Sequence, residues 1–598
     1  MSDYRAPIKD MRFVMDELAG FNELSQLAGF EEATADLADA VLEEAAKLSG
    51  EVLAPLNRVG DQEGCKLGPN GVITPKGWKE AYAQYRDGGW NGITLASEFG
   101  GQGLPNTLGV AAKEMFASAN VAFSIGPLLT TGAVEALLTC ASDELKAIYL
   151  EKMIAGEWTG TMNLTEPQAG SDLALIRSRA EPQADGSYRV FGQKIFISYG
   201  DHDMADNIVH LVLARLPDAP AGVKGISLFL VPKFLVNADG SLGERNDAHC
   251  VSIEHKLGIH GSPTCVMAYG DNGGAVGYLL GEPNRGLEYM FVMMNEARLG
   301  CGVQGVALGE RAYQQALGYA RERKQGRDAL TGEALVSIEK HPDVRRMLML
   351  MKSRVEACRA MIYYTAGQLD RAHHHADPEV RKRSLYLAEL MIPIVKGGST
   401  EMGIEVASLG VQIHGGMGFI EETGAAQHWR DSRIATIYEG TTGIQANDLL
   451  FRKLMRDQGE TAKIVFGEVY ATAKALGASG KPELMAIGQK LGAALKAWTE
   501  ATEWLAGNVK TGLGGVLTAA VPYLHLAVTV CGGWMMGKAA LAAAAYLDKG
   551  EGDLPFYRAK VASARFYADQ MLPQAAAFAE TVKAGDAAIA GLDGEELF

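Results

Sequence analysis

Glu439 has the clearest potential for acid–base chemistry in this sequence. It stands between an apolar pair, Ile437 and Tyr438, and a small polar loop at residues 440–443 (GTTG). Burial against apolar neighbours raises the pKa of a carboxylate and makes it a stronger base. A single Glu before a Gly is equally typical of a carboxylate on a surface loop. The local pattern alone therefore leaves a buried base and an exposed loop residue both open.

Hydroxyl groups and a flat aromatic side chain mark a second place with binding potential. Thr165 precedes a turn fixed by Pro167 and Gly170, and such a turn lets backbone N–H groups reach a ligand. Ser198 and Phe196 end a run with strand-like alternation. In isolation, Thr-Glu-Pro is more typical of a simple turn than of a binding site. Whether the Thr-Glu-Pro motif indicates a binding site depends on the other motifs in the chain.

The order of helical and strand patterns divides the chain into five segments. Residues 1–35 form a mixed, amphipathic N-terminal extension, and residues 36–158 show helical periodicity. From 159 to 275 the pattern changes to short alternating or β-branched runs separated by turn residues. Helical periodicity returns at 276–452 and continues through an Ala-rich segment at 453–598. These patterns predict an α+β protein of several domains, because 598 residues exceed what one hydrophobic core can hold.

Four phrases occur in a fixed order on these predicted elements. They are residues 163–172 (NLTEPQAGSD), 194–200 (KIFISYG), 321–327 (RERKQGR) and 412–419 (QIHGGMGF), the last followed by Arg430-Asp431 and 437–445 (IYEGTTGIQ). Each phrase alone is weak, but together they resemble the acyl-CoA dehydrogenase family over roughly residues 36–450. The opening segment and the helical tail resemble a longer bacterial branch, which includes 3-methylmercaptopropionyl-CoA dehydrogenases and some long-chain enzymes.

The resemblance implies a fold and a reaction. The fold is an N-terminal helical domain, a central β-domain and a C-terminal four-helix bundle, here with an additional C-terminal helical domain. The reaction is FAD-dependent α,β-dehydrogenation of an acyl-CoA thioester to the trans-2-enoyl-CoA. The implied substrate is 3-methylmercaptopropionyl-CoA or a medium- or long-chain fatty acyl-CoA. In the family, the residue that Glu439 matches removes the proton alpha to the thioester carbonyl while hydride leaves Cβ for flavin N5.

The resemblance also assigns noncovalent FAD contacts within and between subunits. Thr165 and Ser198 supply hydroxyls and Phe196 a wall for the flavin ring, although the family usually has Thr at 198 and Trp at 196. Arg323 resembles the arginine that meets the FAD pyrophosphate of the neighbouring subunit, since a guanidinium suits phosphate. The other matched cofactor positions are Met162, Leu164, Ser171, Gln412, Gly415, Gly416, Thr441 and Gly443. A second subunit at each FAD implies a homo-oligomer, with a homodimer favoured.

The substrate contacts implied by the resemblance are Ser171, Arg298, Glu439 and Gly440. Some family members place the base on the helix near residues 295–298 (NEAR) instead. The matching position here is Ala297, which cannot take a proton, and Glu296 lies about 100° away around a helix. This favours Glu439 as the base. Arg298 matches a family arginine whose role we interpret as electrostatic positioning.

Charge and cysteine usage narrow the class of function. The net charge is −16, while the segment from 451 onward carries 15 basic and 15 acidic side chains. An acidic surface disfavours nucleic acid, because phosphate binding rests on Lys and Arg. Seven scattered cysteines without a C-x-x-C pair suit a reducing cytoplasm, and the charged opening lacks a secretory signal. No G-x-G-x-x-G follows a predicted strand, and the adjacent His373, His374 and His375 predict a solvated loop rather than a metal site.

Residues 511–537 contain no Asp, Glu, Lys or Arg and are long enough to span a bilayer. Pro522, His525 and several Thr within them favour a tightly packed helix pair, because polar groups are costly in lipid. We therefore predict a cytoplasmic protein without stable membrane insertion.

Three functions remain open at this point. The leading prediction is a dehydrogenase that passes electrons to an electron-transfer flavoprotein. An acyl-CoA oxidase, which reduces oxygen, also has a long helical tail, but the phrase around Glu439 and the Arg430-Asp431 pair favour a dehydrogenase. A DNA-binding flavoprotein relative needs a basic surface, and the neutral tail supplies none.

Overall fold

The N-terminal region consists of helices and one small hairpin. The computed structural model describes residues 4–592 and 594–597. The helices are α1 (Ile8–Val14), α2 (Phe21–Leu24), α3 (Ala35–Lys47), α4 (Ala54–Glu63), α5 (Trp78–Asp87), α6 (Asn106–Ala119), α7 (Val121–Cys140) and α8 (Asp143–Ile154). Strands β1 (Lys66–Gly68) and β2 (Gly71–Ile73) pair antiparallel. Helix α7 is mostly buried because its sequence is apolar on every face.

The central region is a mixed sheet. Its strands are β3 (Trp158–Asn163), β4 (Arg179–Pro182), β5 (Tyr188–Ser198), β6 (Asn207–Ala214), β7 (Ser227–Pro232), β10 (Ala248–Ile253), β11 (Thr264–Tyr269) and β12 (Ala275–Leu280), with β8 (Phe234–Val236) and β9 (Leu242–Arg245) in a separate ribbon. The order is β10-β11-β5-β12-β7-β6-β3, with β4 beside β5. Only β3 and β6 pair in parallel among the described strands, and both are buried along their whole length.

Three long helices form the core of the next region. They are α9 (Gly286–Glu322), α10 (Pro342–His374) and α11 (Pro378–His414), followed by the short helices α12 (Ala425–Ser432) and α13 (Thr442–Asn447). Small residues allow α9 and α11 to approach closely, since a Cβ on Gly305 would lie 2.3 Å from the backbone oxygen of Ser399. His373 and His374 end helix α10, so the predicted solvated loop is wrong for these two residues.

The C-terminal region is helical, as the Ala-rich periodicity predicts. Its helices are α14 (Glu460–Gly477), α15 (Pro482–Asn508), α16 (Leu513–Thr518), α17 (Ala520–Lys549), α18 (Leu554–Gln570), α19 (Gln574–Ala584) and α20 (Gly594–Leu597). Helix α17 packs against α10, α11, α15 and α18, which explains the charge-free stretch between Lys510 and Lys538. The predicted order of helices, strands and helices is thus confirmed, while the five exact boundaries stay predictions.

Two of the described helices are long and apolar enough to cross a membrane. They are Val121–Cys140 and Ala520–Lys549, and 78% of the most apolar window of each is buried against the rest of the protein. Buried core helices of folded domains have the same length and composition.

A buried ionic cluster joins the N-terminal extension to three other regions. The Arg359 guanidinium lies 2.7 Å from Asp10, 2.6 Å from Glu114 and 2.7 Å from Glu310. Lys560, from helix α18, lies 2.6 Å from the other oxygen of Asp10. We call these five residues the Arg359 cluster. Its members come from α1, α6, α9, α10 and α18, so it fastens the two ends of the chain to the bundle.

Candidate active site

Glu439 lies on a tight turn immediately before helix α13. Its backbone has φ +55°, a left-handed conformation that non-glycine residues adopt only when their surroundings hold them in place. The Gln445 side-chain amide donates to the carbonyl oxygens of Glu439 at 3.1 Å and Gly440 at 3.4 Å. Thr441 caps α13 by accepting from the Ile444 N–H at 3.3 Å. The turn is therefore held by its own short helix.

Lys396, which sequence reasoning missed, holds the same turn from helix α11. Its buried ammonium donates to the carbonyls of Ala435 at 2.9 Å and Gly440 at 2.6 Å. One signal could have revealed it. A lone lysine inside the apolar run 391–398 (MIPIVKGG) has to find buried acceptors, because an unpaired buried charge is very costly.

The electrostatic environment of Glu439 is that of a base. Burial raises the pKa of its carboxyl to about 6, and the positive charges of Arg298 and Lys396 lower it only in part. Burial in turn lowers the pKa of Lys396, which Glu439 partly restores. A carboxylate with a pKa near the operating pH accepts a proton more readily than one at the ordinary value.

Arg298 is buried beside this site, on helix α9. Its guanidinium lies 3.6 Å from Asp448, and its Nε has no hydrogen-bond partner among the described residues. Ala297 is buried and has no ionisable group. Glu296 is 2.6 Å from Lys113. The structure thus gives the Glu296 carboxylate a structural partner of its own.

A small cavity lies between helices α6, α7 and α9 and is connected to the Glu439 segment through Gln304. Gln304 lines it and accepts a hydrogen bond from the Tyr438 hydroxyl. The rest of the wall includes Phe116, Phe123, Pro127, Leu128, Thr131 and Val303. The cavity volume is about 30 Å³, which accommodates roughly two or three water-sized groups. Sequence reasoning found neither Gln304 nor the cavity.

The first two sequence phrases meet at the end of strand β5. The Thr165 carbonyl accepts from Ile195 N–H at 2.9 Å, and the Lys194 ammonium donates to Leu164 at 3.0 Å and to Glu166 at 2.9 Å. Glu166 also accepts from the backbone N–H groups of residues 177 and 178. The buried Lys194–Glu166 pair therefore fixes the turn that carries Thr165. Both residues lie inside the first two phrases, but nothing in the sequence pattern indicates that they pair.

The β-domain residues leave groups free to hold a flavin. The Thr165 and Ser198 hydroxyls are half-buried and bond no protein group within the described residues. Phe196 has φ +61° and is 59% exposed, so its ring is not packed into the core. A Cβ on Gly170 would meet nothing within 4 Å. Free hydroxyls, an exposed ring and open backbone fit the edge and face of an isoalloxazine.

The residues expected to reach a neighbouring subunit are exposed and share one end of the bundle. Arg323 follows α9 directly, while Gln412 lies in the last turn of α11 and Gly415 and Gly416 follow it. The ring of Tyr319 on α9 stacks on His414 of α11, with centroids 4.4 Å apart, which brings these two helix ends together. Nothing lies within 4 Å of a Cβ placed on either glycine.

The remaining predicted positions surround these two areas. Met162 is buried in β3 and Leu164 is half-buried, whereas Ser171 is exposed on the loop after Gly170. Thr441 and Gly443 lie at the start of α13. No group of three or more His, Cys, Asp or Glu among residues 4–592 and 594–597 could hold a metal ion.

The fold and the Glu439 site define a flavin-dependent dehydrogenase of acyl thioesters, and comparison with known families agrees. Four family descriptions match consecutive segments: the N-terminal, middle and C-terminal domains of acyl-CoA dehydrogenase at 38–157, 161–271 and 284–454, and an acetyl-CoA dehydrogenase C-terminal-like domain at 465–593. The chain belongs to the acyl-CoA dehydrogenase family and is an FAD-dependent oxidoreductase.

Individual relatives cover the whole length. The chain is 50% identical to 3-methylmercaptopropionyl-CoA dehydrogenase of Ruegeria pomeroyi, over 96% of this chain and 97% of that one. It is 35% identical to a butyryl-CoA dehydrogenase of Syntrophomonas wolfei, over 98% and 97%. The resemblance to the longer branch is therefore confirmed.

Solved structures share the fold over nearly the whole chain. Caenorhabditis elegans ACDH-11, solved in complex with C11-CoA, has a TM-score of 0.78 at 20% identity and covers 99% of this chain and 96% of its own. A Bacillus anthracis acyl-CoA dehydrogenase complexed with FAD has a TM-score of 0.74 at 21% identity, covering 98% and 92%. The additional C-terminal helices thus belong to a fold already seen in full-length relatives.

Proposed function

We propose that this enzyme oxidises 3-methylmercaptopropionyl-CoA and other short acyl-CoAs, with Glu439 as the base. The observation that carries the proposal is the small cavity lined by Gln304, whose side chain accepts from the residue before Glu439. Its volume suits a short acyl group. The 50% identity to a 3-methylmercaptopropionyl-CoA dehydrogenase over nearly the whole chain supports the same substrate. A medium- or long-chain substrate would need more room than this cavity offers.

The aromatic lining of the cavity suits a thioether. The rings of Tyr85 and Phe116 are 5.4 Å apart, and those of Tyr85 and Phe123 are 6.0 Å apart. All three line the cavity. A sulfur atom against aromatic rings gains about 0.3–1.5 kcal/mol, which corresponds to a preference of up to roughly tenfold over a methylene group of the same shape.

Each site residue has a defined task in this proposal. Glu439 accepts the α-proton of the thioester, while Arg298 stabilises the negative charge that develops nearby. Thr165, Ser198 and Phe196 hold the flavin ring, with Met162, Leu164, Ser171, Thr441 and Gly443 around it. When bound there, FAD would supply the acceptor for the hydride that leaves Cβ. Ser171 and Gly440 contact the acyl-CoA.

The proposed substrate is tested with matched thioesters. Pentanoyl-CoA has a methylene where 3-methylmercaptopropionyl-CoA has sulfur, so the two differ only at that atom. We expect kcat/KM, measured with an artificial electron acceptor, to be highest for the thioether, a few-fold lower for pentanoyl-CoA and far lower for dodecanoyl-CoA. A maximum at dodecanoyl-CoA would refute the short-chain assignment while leaving the dehydrogenase reaction intact.

We also propose that an electron-transfer flavoprotein accepts the electrons and that the enzyme is cytoplasmic. We further propose a homodimer in which Arg323, Gln412, Gly415 and Gly416 complete the partner's FAD site. The exposure of these residues at one end of the bundle supports the dimer. The net charge of −16 argues against nucleic-acid binding, and the burial of the two apolar helices argues against stable membrane insertion. Light scattering tests the dimer, since a monomer with full FAD content would contradict it. Rapid reoxidation of the reduced enzyme by oxygen would favour an oxidase.

A further inference from the structure

Lys396 contacts both ends of the segment that carries Glu439. Its ammonium bonds the carbonyl of Ala435, four residues before the carboxylate, and that of Gly440, one residue after it. The lysine itself is fully buried in the middle of α11. One side chain on a rigid helix thus spans the whole turn in which Glu439 adopts its left-handed backbone.

Two further arguments separate this contact from ordinary core packing. A fully buried ammonium is expensive, so a residue that only filled space would be better as methionine or leucine. In addition, Lys396 and Glu439 affect each other electrostatically, although no direct ion pair joins them among the described residues. The lysine therefore acts on Glu439 through the backbone and through its charge.

Other charged and titratable groups face this pair. Arg298 and Cys301 approach from α9, and Glu401 approaches from α11. Tyr438 lies on the segment itself, and Asp448 reaches the site through Arg298. Arg298 is the only other cation acting on the Glu439 carboxylate among the described residues.

We infer that Lys396 is a positioning residue for the proposed reaction, which orients Glu439 by holding the carbonyls of Ala435 and Gly440. This inference rests on Glu439 being the base. Without the ammonium, two buried carbonyls lose their donor and the turn relaxes from its strained conformation. The carboxylate also loses one of its two favourable charges and accepts its proton at a higher pH.

Two variants separate the contributions of geometry and charge. Lys396→Met removes both the donor and the charge, whereas Lys396→Gln keeps an N–H donor and removes only the charge. The measurements are the pH profile of kcat/KM, kcat and KM at the pH optimum, FAD content and thermal unfolding. We expect the acid limb of the profile to move up by about one pH unit in both variants. We also expect kcat to fall further in Lys396→Met than in Lys396→Gln, while KM changes little.

Lys560→Met is the matched control, because Lys560 is a buried lysine in the Arg359 cluster, away from the site. It should lower the unfolding temperature and leave the acid limb in place. If the Lys396 variants behave like this control, Lys396 is merely structural and the inference is wrong. Lys396→Gln keeps the test decisive if Lys396→Met does not fold. A fully active Glu439→Gln variant in the same series would instead refute the base assignment itself.

Discussion

Two buried regions of this protein hold carboxylates in opposite ways. In the Arg359 cluster, burial alone would raise the pKa of Asp10, but Lys560 and Arg359 outweigh it and keep that pKa well below its usual value. At the active site, burial dominates, and Arg298 and Lys396 only moderate the rise in the pKa of Glu439 to about 6. Cations touch Asp10 at 2.6–2.7 Å, whereas Glu439 has no ion-pair partner among the described residues.

The difference shows how one chain holds the same functional group in two environments, one suited to stability and one to the proposed chemistry. Asp10, held between Lys560 and Arg359, stays ionised near neutral pH and stabilises the fold. The two cations near Glu439 bond other groups, since Lys396 donates to backbone carbonyls on either side of it and Arg298 lies beside Asp448. The Glu439 oxygens are therefore left available for the proposed proton transfer. Contact with two cations therefore outweighs burial at Asp10, whereas burial raises the pKa of Glu114, which contacts one cation, Arg359, and of Glu439, which contacts no cation among the described residues.

The largest expected effect comes from removing the central cation of the cluster. Arg359→Met leaves Glu114, Glu310 and part of Asp10 as unpaired buried charges, so we expect a loss of about 3–5 kcal/mol in the free energy of unfolding. Calorimetry or denaturant titration with FAD bound measures it. Arg346→Met is the control, since Arg346 pairs with Asp343 at the surface and its loss should cost less than about 1 kcal/mol. Equal losses in the two variants would contradict the comparison.

Removing the Glu439 carboxylate should abolish most of the activity without unfolding the protein. Glu439→Gln preserves shape but cannot take the α-proton, so we expect turnover to fall by at least about 10²-fold. FAD content and acyl-CoA binding should stay near wild type, measured by flavin absorbance and titration. Glu296→Gln is the control, because Glu296 pairs with Lys113, and it should stay within a few-fold of wild type. An active Glu439→Gln enzyme beside an inactive Glu296→Gln enzyme would move the base to Glu296.

The same Glu439→Gln variant should be more stable than wild type above pH 6. The pKa of Glu439 is raised from 4.5 to about 6 in the folded protein, so folding favours the protonated form. The resulting penalty on the ionised form is absent below pH 4.5 and complete above pH 6. It amounts to about 1–2 kcal/mol after allowance for partial exposure. The free energies of unfolding of wild type and Glu439→Gln should therefore be nearly equal at pH 4, and the variant should be the more stable of the two at pH 8. A variant less stable than wild type at pH 8 would contradict this.

The sequence predicted the fold well because local patterns carry it. Strand-like alternation and turn residues mark the β-domain, and long apolar periodicities mark the bundle and the tail. The four ordered phrases also led to Thr165, Ser198 and Glu439, because chemistry fixes residue types close together along the chain. These features needed no knowledge of distant contacts.

The sequence could not predict contacts between distant residues. Asp10 looks like a surface charge, yet its partners lie 349 and 550 positions away. Lys396 meets Gly440 across 44 positions, and Gln304 meets Tyr438 across 134. Whether a charged side chain is solvated, ion-paired or bonded to a loop depends on such long-range contacts, and the periodicity of the sequence does not encode them.

The smallest expected effect comes from one hydroxyl removed in each region. Tyr363 donates to Glu114, a charged acceptor, at 2.8 Å, whereas Tyr438 donates to Gln304, a neutral one. Hydrogen bonds to charged groups contribute about 1.5–3 kcal/mol and neutral ones about 0.5–1.5 kcal/mol. We therefore expect Tyr363→Phe to lower the free energy of unfolding more than Tyr438→Phe does. Tyr438→Phe should instead raise KM for short acyl-CoAs a few-fold, because the freed Gln304 lines the cavity. If Tyr363→Phe and Tyr438→Phe lost the same stability and KM stayed unchanged, the charge of the acceptor would not distinguish the two regions.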